Sequence, residues 1–128
     1  MNGERKRRLA KLVTLQKQLK ALHETRHSGY VATANAAEQE AHQLAASFDD
    51  PQSLSGLFPD IYHNRIAGAF TRRDENLVKA AQEVGRLAAA SLRANMVEDA
   101  YREVARLVDE QAADKERLEI VERKLTGK

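Results

Sequence analysis

The chain has 128 residues, about one domain, and its 5% aromatic content with no Trp argues against a bulky globular core. Charged residues at 31%, with abundant Ala, Glu, Leu, Lys and Arg, match the composition of long helices and coiled coils. A net charge of only +2 offers no overall basic field for nucleic acid or membrane, and the lack of Cys excludes a disulfide framework and Cys-liganded zinc.

The basic start, Arg5-Lys6-Arg7-Arg8, is followed by no apolar run of signal-peptide length, and no stretch approaches a membrane span. A soluble, cytoplasmic, all-helical protein is the expectation. The first helix is predicted over about 4–48. Leu12, Leu15, Leu19 and Leu22 follow one another at steps of three and four, the spacing of a coiled-coil seam. Burial of each would contribute about 1.5–3 kcal/mol, most of it offset by chain entropy. After Leu22 the stripe passes through Arg26 to Tyr30, Ala34, Ala37, Ala41, Leu44 and Phe48, with the drift that a stutter makes. Gly29 falls in that drift, yet a glycine costs a helix only about 1 kcal/mol, so the helix is predicted to be continuous.

Asp49-Asp50-Pro51 ends this helix, with Asp50 as a cap and Pro51 opening a short turn. Ser55-Gly56 and Phe58-Pro59-Asp60 add further breaks, giving a connector over about 49–59. Leu54, Leu57, Phe58, Ile61 and Tyr62 make it apolar for a loop, which points first to a cap over the hairpin end and second to a docking surface.

The second helix is predicted over about 60–126, with Gly127 as its stop. Its stripe reads Leu77, Ala81, Val84 and Ala88, then Val97, Ala100, Val104, Leu107, Leu118, Val121 and Leu125, interrupted only by Gln111 and Asp114. The middles of both helices are rich in Ala, which lets two axes approach closely. Two seams joined by one connector bury each other only by folding back. The predicted fold is therefore all-α: residues 1–128 form one long antiparallel two-helix coiled-coil hairpin with a Pro-containing connector, its helices roughly 65 and 100 Å long.

His23-Glu24-Thr25-Arg26-His27 spells H-E-x-x-H, which on a helix sets two imidazoles one turn apart with a glutamate placed as general base for zinc hydrolysis. A working site needs a third ligand and an open position. Gly29 falls one residue early for the extended form of the motif, and Thr33 stands where its third His belongs. Glu38 and Glu40 lie too far along the same helix. A minimal zinc metalloprotease is thus the remote alternative, and two exposed histidines on a charged helix the ordinary reading. No catalytic residue, cofactor or metal ligand is assigned.

Arg5, Arg7, Arg8 and Lys11, with Lys6, Lys17 and Lys20, make the strongest charge feature, while residues 98–128 carry more acids than bases, among them Glu98, Asp99, Glu103, Asp109 and Glu110. In a hairpin these segments lie side by side, so charge pairing across the helices is expected. Each exposed pair contributes only about 0–1 kcal/mol. No stacking aromatics accompany the bases, as a nucleic-acid site would require.

A basic N-terminal Leu-heptad helix, a connector and a long charged second helix resemble the FliJ/YscO group of stalk proteins in flagellar and virulence type III export. The likeness lies in Leu57-Phe58-Pro59-Asp60-Ile61-Tyr62 through Val84, then in Glu98-Asp99-Ala100-Tyr101-Arg102-Glu103-Val104-Ala105-Arg106-Leu107 and the charged run from Glu110 to Lys124. The resemblance implies a non-enzymatic, monomeric stalk, cytoplasmic and peripheral to a membrane-embedded export apparatus, without cofactor. The end holding both termini would enter a hexameric export ATPase through Arg5, Arg7, Arg8 and Lys11, with Glu119, Arg123 and Lys124 across the hairpin. Phe58, Tyr62 and Phe70 would be anchors toward the export gate. The alternative is a coiled-coil adaptor or helical export chaperone holding a partner helix along the Ala-rich groove.

Overall fold

A computed structural model describes residues 1–127. Two long helices pack against each other as a hairpin, α1 over Asn2–Ala46 and α2 over Pro59–Leu125, and no strand occurs among the described residues. The ends follow helix-terminus chemistry. Glu4 and Asp60 sit in the first turns, where the amide dipoles favour negative charge, and Arg123 and Lys124 sit in the last turn of α2. Pro59 opens α2 at the one position where its missing N–H costs nothing. Gly127 follows α2 with φ of 73°, the left-handed conformation that a side chain would resist, and its N–H donates to Lys124 O at 3.4 Å. Gly29 leaves α1 unbroken.

The connector is two short 3-10 turns, Ser47–Asp49 and Leu54–Gly56. Asp50 turns the chain rather than capping a helix: its Oδ1 accepts from Gln52 N at 2.9 Å. Ser53 caps the second turn, its Oγ accepting from Ser55 N at 3.2 Å. Ser55 is buried and ties the connector back to the end of α1, its hydroxyl donating to Ser47 O at 2.9 Å.

By contact pattern the chain divides into two units, residues 21–88 and residues 1–20 with 89 onward. In the 21–88 unit, the seam of α1 takes in the partly or fully buried His23, His27, Tyr30, Ala34, Ala37, Ala41 and Leu44, with Val31, Glu38 and Glu40 partly covered beside it. The seam of α2 includes Tyr62, Ile66, Ala69, Arg73, Asn76, Ala80, Glu83 and Leu87. Both rows advance by strict alternation of three and four, so no stutter exists. In the other unit the same spacing takes in Leu9, Val13 and Gln16 on α1, and Ala90, Ala94, Val97, Tyr101, Val104 and Val108 on α2.

This corrects the predicted seam. Leu12, Leu15 and Leu22 are exposed, as are Arg26, Leu77, Ala81, Val84 and Ala88. The leucine row flanks the contact and small or polar residues fill it. The side chains of the core are therefore mostly methyl groups, each contributing about 0.8 kcal/mol where a leucine would contribute more. Val97, Ala100, Val104 and Leu107 do lie on the covered face, whereas Leu118, Val121 and Leu125 are exposed, Leu125 by 81%. From Asp114 to Leu125 every residue of α2 is exposed, because no other helix lies against that stretch.

The connector does not act as an apolar cap. Leu54, Phe58 and Ile61 are exposed and Leu57 is 74% exposed. At this end Phe48, itself exposed, stacks on His63 with ring centroids 4.8 Å apart and meets the partly covered Tyr62 edge-on at 6.0 Å.

Candidate functional site

The helix contact carries one feature that its composition does not lead one to expect. Glu83 has a side chain only 1% exposed, and it is the largest fully buried side chain in the core among the described residues. Stepping back from Val104 by sevens along α2 reaches Val97, Ala90 and Glu83, so the helix itself aims this carboxylate into the seam. Stepping back by sevens from Ala37 on α1 reaches Tyr30 and His23. The two rows meet where His23 Nδ1 lies 2.7 Å from Glu83 Oε2. Arg86, one turn further along α2, donates from Nη1 to Glu83 Oε1 at 2.8 Å. Both carboxylate oxygens thus have a donor, which is how a buried charge is tolerated. Burial works to raise the Glu83 carboxyl, but the hydrogen bonds from His23 and Arg86 and the Arg86 charge outweigh it and hold the group below the usual glutamate range.

This overturns the ordinary reading of H-E-x-x-H. His23 is no exposed histidine but a seam residue 18% exposed, and His27 is partly covered one turn on. Glu24, the would-be general base, points to solvent. Among the described residues no three His, Cys, Asp or Glu side chains converge as a metal-ligand set. His23 Nδ1 is engaged with Glu83. Glu83 and Arg86 carry no apolar signal that marks them in the sequence. The seven-residue step from Val104 is the signal that reaches Glu83, and Arg86 stands one turn beyond it.

Nearer the connector the helices are joined by polar links at the rim. Arg72 pairs with Glu40, and Arg73 with Glu38 at 3.4 Å. The Arg73 guanidinium also lies 4.7 Å from the Phe70 ring centroid, and Phe70 meets His42 edge-on. A hydrogen bond to Asp74 leads the causes that raise the Arg73 pKa above its ordinary value, working against burial. Of the three predicted aromatic anchors, Tyr62 and Phe70 are therefore engaged within the hairpin, and Phe58 alone stands exposed beside Leu57.

In the unit formed by 1–20 and 89 onward, the predicted pairing of bases on one helix with acids on the other does not form. The acids of α2 are taken by its own arginines: Arg102 with Glu98 and Asp99, Arg106 with Glu103 and Glu110, Arg117 with Asp114. Side chains three or four apart on one helix reach each other with less ordering than partners on two helices. The Glu103 carboxyl is lowered chiefly by its hydrogen bond from Arg106. Arg5, Arg7, Arg8 and Lys11 consequently have no carboxylate within ion-pair distance among the described residues, although Glu4 shares a shallow depression with the last three. Glu119, Arg123 and Lys124 lie in the bare end of α2, where no residue of α1 covers them.

The buried alanines Ala34, Ala37, Ala41, Ala69, Ala80, Ala90 and Ala94 are covered by the chain's own helices and present no groove to an outside helix. No helix among the described residues is long and apolar enough to cross a membrane. No family model matches the chain, and neither the curated proteins nor the solved structures contain a match to it.

Proposed function

We propose that this chain is a non-enzymatic coiled-coil stalk that acts by binding other proteins, of the kind found in flagellar and type III export. In that role it couples a hexameric export ATPase to the export gate as a cytoplasmic protein at the membrane-embedded apparatus. The observation that carries the reading is the bare end of α2: Leu118 and Leu125 fall on the seven-residue steps from Val104, with Val121 beside them, and all three are exposed where the chain supplies nothing to cover them. A partner is the natural cover for such a row. The uncompensated Arg5, Arg7, Arg8 and Lys11 lie in the same unit and supply charge for an ATPase surface, with Glu119, Arg123 and Lys124 on α2. At the connector, Phe58 with Leu57 and Ile61 offers an exposed apolar contact toward the gate, and Tyr62 and Phe70 stiffen the helix pair beneath it. The all-helical hairpin is the scaffold such a stalk requires, and a helix pair offers little interior in which to desolvate a catalytic group.

The test is the hydrolysis rate of the cognate export ATPase with and without this protein. Stimulation is the expected result, reduced severalfold by Arg7→Glu with Arg8→Glu and by Leu118→Asp with Leu125→Asp. A native protein that leaves the rate unchanged and does not co-purify with the ATPase ends the proposal.

A further inference from the structure

Two apolar strips lie bare in the unit formed by residues 1–20 and 89 onward. One is the end of α2, with Leu118, Val121 and Leu125. The other runs along α1, one position ahead of the seam. There Leu12 and Leu15 are exposed, Leu19 is partly covered, and Arg5 and Arg8 continue the strip. Positions just ahead of seam residues share one side of both helices, as Arg72 and Glu40 show by pairing. The exposed Met96, just ahead of Val97, therefore widens the second strip from α2.

The two strips match step for step. Arg5, Arg8, Leu12, Leu15 and Leu19 advance by three, four, three and four, and so do Gln111, Asp114, Leu118, Val121 and Leu125. Laid side by side in the same direction, apolar meets apolar and Arg8 meets Asp114. Flanking residues of parallel helices pair with a stagger of about five residues, which sets Lys11 against Glu122 and Glu4 against Lys115. The wider charge agrees: residues 5–11 hold five bases and no acid, and residues 109–122 hold six acids against two bases. In the opposite direction, with the same leucines matched, Lys11 stands beside Arg123 and Lys124, and the acids lie away from Arg5 and Arg8. The chain cannot make this contact with itself, because α2 runs unbroken to Leu125 and does not turn back onto α1.

We infer that the bare end of α2 lies along the α1 strip of a second copy of this chain, and that the exchange is reciprocal. Each copy covers the other's strip, the self-complementary arrangement of a two-fold dimer. The pair comes apart on dilution, so the size of Leu12 and Leu15 tells on assembly rather than on the fold of the single hairpin. An export ATPase would compete with the second copy for one apolar row. The dimer is measured on the chain alone, so its failure and the failure of the stalk reading are separate results.

Sedimentation equilibrium should give twice the chain mass of 14.3 kDa, falling to one chain on dilution. Leu118→Asp with Leu125→Asp should return a monomer of unchanged helicity, since nothing within the chain covers either side chain. Arg8→Asp and Asp114→Arg should each weaken the dimer severalfold, and the two together should restore it. The chain has no Cys, so spin labels can be placed at Thr14→Cys in one copy and Ile120→Cys in the other, both exposed. These should lie within roughly 25 Å, two helix diameters, of each other. Two copies both labelled at Ile120 should lie much farther apart. A chain that stays monomeric when concentrated, or a dimer indifferent to the leucine and charge variants, overturns the inference. So does a short distance between two Ile120 labels, because the α2 ends would then pair with each other.

Discussion

His23 Nδ1 and Glu83 Oε2 meet 2.7 Å apart across the helix contact, and the carboxylate they share with Arg86 is shut away from solvent. In a core whose fully buried residues are mostly alanine, this is the interaction whose loss is felt most. Removing one partner of a buried pair leaves the other uncompensated, whereas replacing both with apolar groups is often neutral. His23→Ala should lower the thermal midpoint by roughly 5–10 °C, and His23→Leu with Glu83→Leu should leave it at or above the native value. Circular-dichroism melts of the single and double variants check both halves. A single variant that melts with the native protein refutes the assignment.

The same carboxylate sets an acid limit. Because the folded-state pKa of Glu83 lies below its ordinary value of 4.5, the native state binds fewer protons than the unfolded state in that range. The stabilisation is fully present above pH 4.5 and is lost as the pH falls through the lower, folded value. The midpoint of thermal melting should therefore drop on acidification below that point, and Glu83→Gln should flatten the drop. An identical acid profile in the variant would assign the sensitivity to other carboxylates.

Placement of the seam makes a paired prediction. Ala41 is fully buried and Leu15 is 47% exposed, so size matters at the first position and little at the second. Ala41→Leu should cost about 1–3 kcal/mol by forcing the helices apart, and Leu15→Ala less than about 1 kcal/mol. Urea unfolding of the two variants measures this directly. The reverse order of effects would restore the leucine row as the contact.

At the connector, stability and surface are separate. Ser55→Ala removes the hydrogen bond to Ser47 O and should cost about 0.5–1.5 kcal/mol. Leu57→Ser with Phe58→Ser should leave the melting temperature within about 2 °C, because both side chains already face solvent. If the double variant instead melts much earlier, the connector is an apolar cap after all.

Residue pattern alone was enough for the all-helical hairpin, since an unbroken three-and-four spacing with prolines confined to 51 and 59 leaves a chain of this composition no other economical way to cover its apolar face. The covered face was legible only in part: of the stripe that the pattern picks out, Tyr30, Ala34, Ala37, Ala41 and Leu44 and the row from Val97 to Leu107 are covered, whereas Leu12, Leu15, Leu22 and the row from Leu77 to Ala88 are not. In that first stretch of α1 the seam takes in Leu9, Val13 and Gln16, which keep the three-and-four step of Tyr30, Ala34, Ala37 and Ala41 further along, and Leu12, Leu15 and Leu22 fall outside it. That row carries His23 inward, as the covered row of α2 carries Glu83. Whether a charge is buried depends on what stands opposite, and opposition is settled by the packing of residues sixty positions apart. The arginines of α2 follow the same logic: sequence offers each acid two sets of bases, and the nearer set, one turn away on the same helix, takes it because it is already held in place.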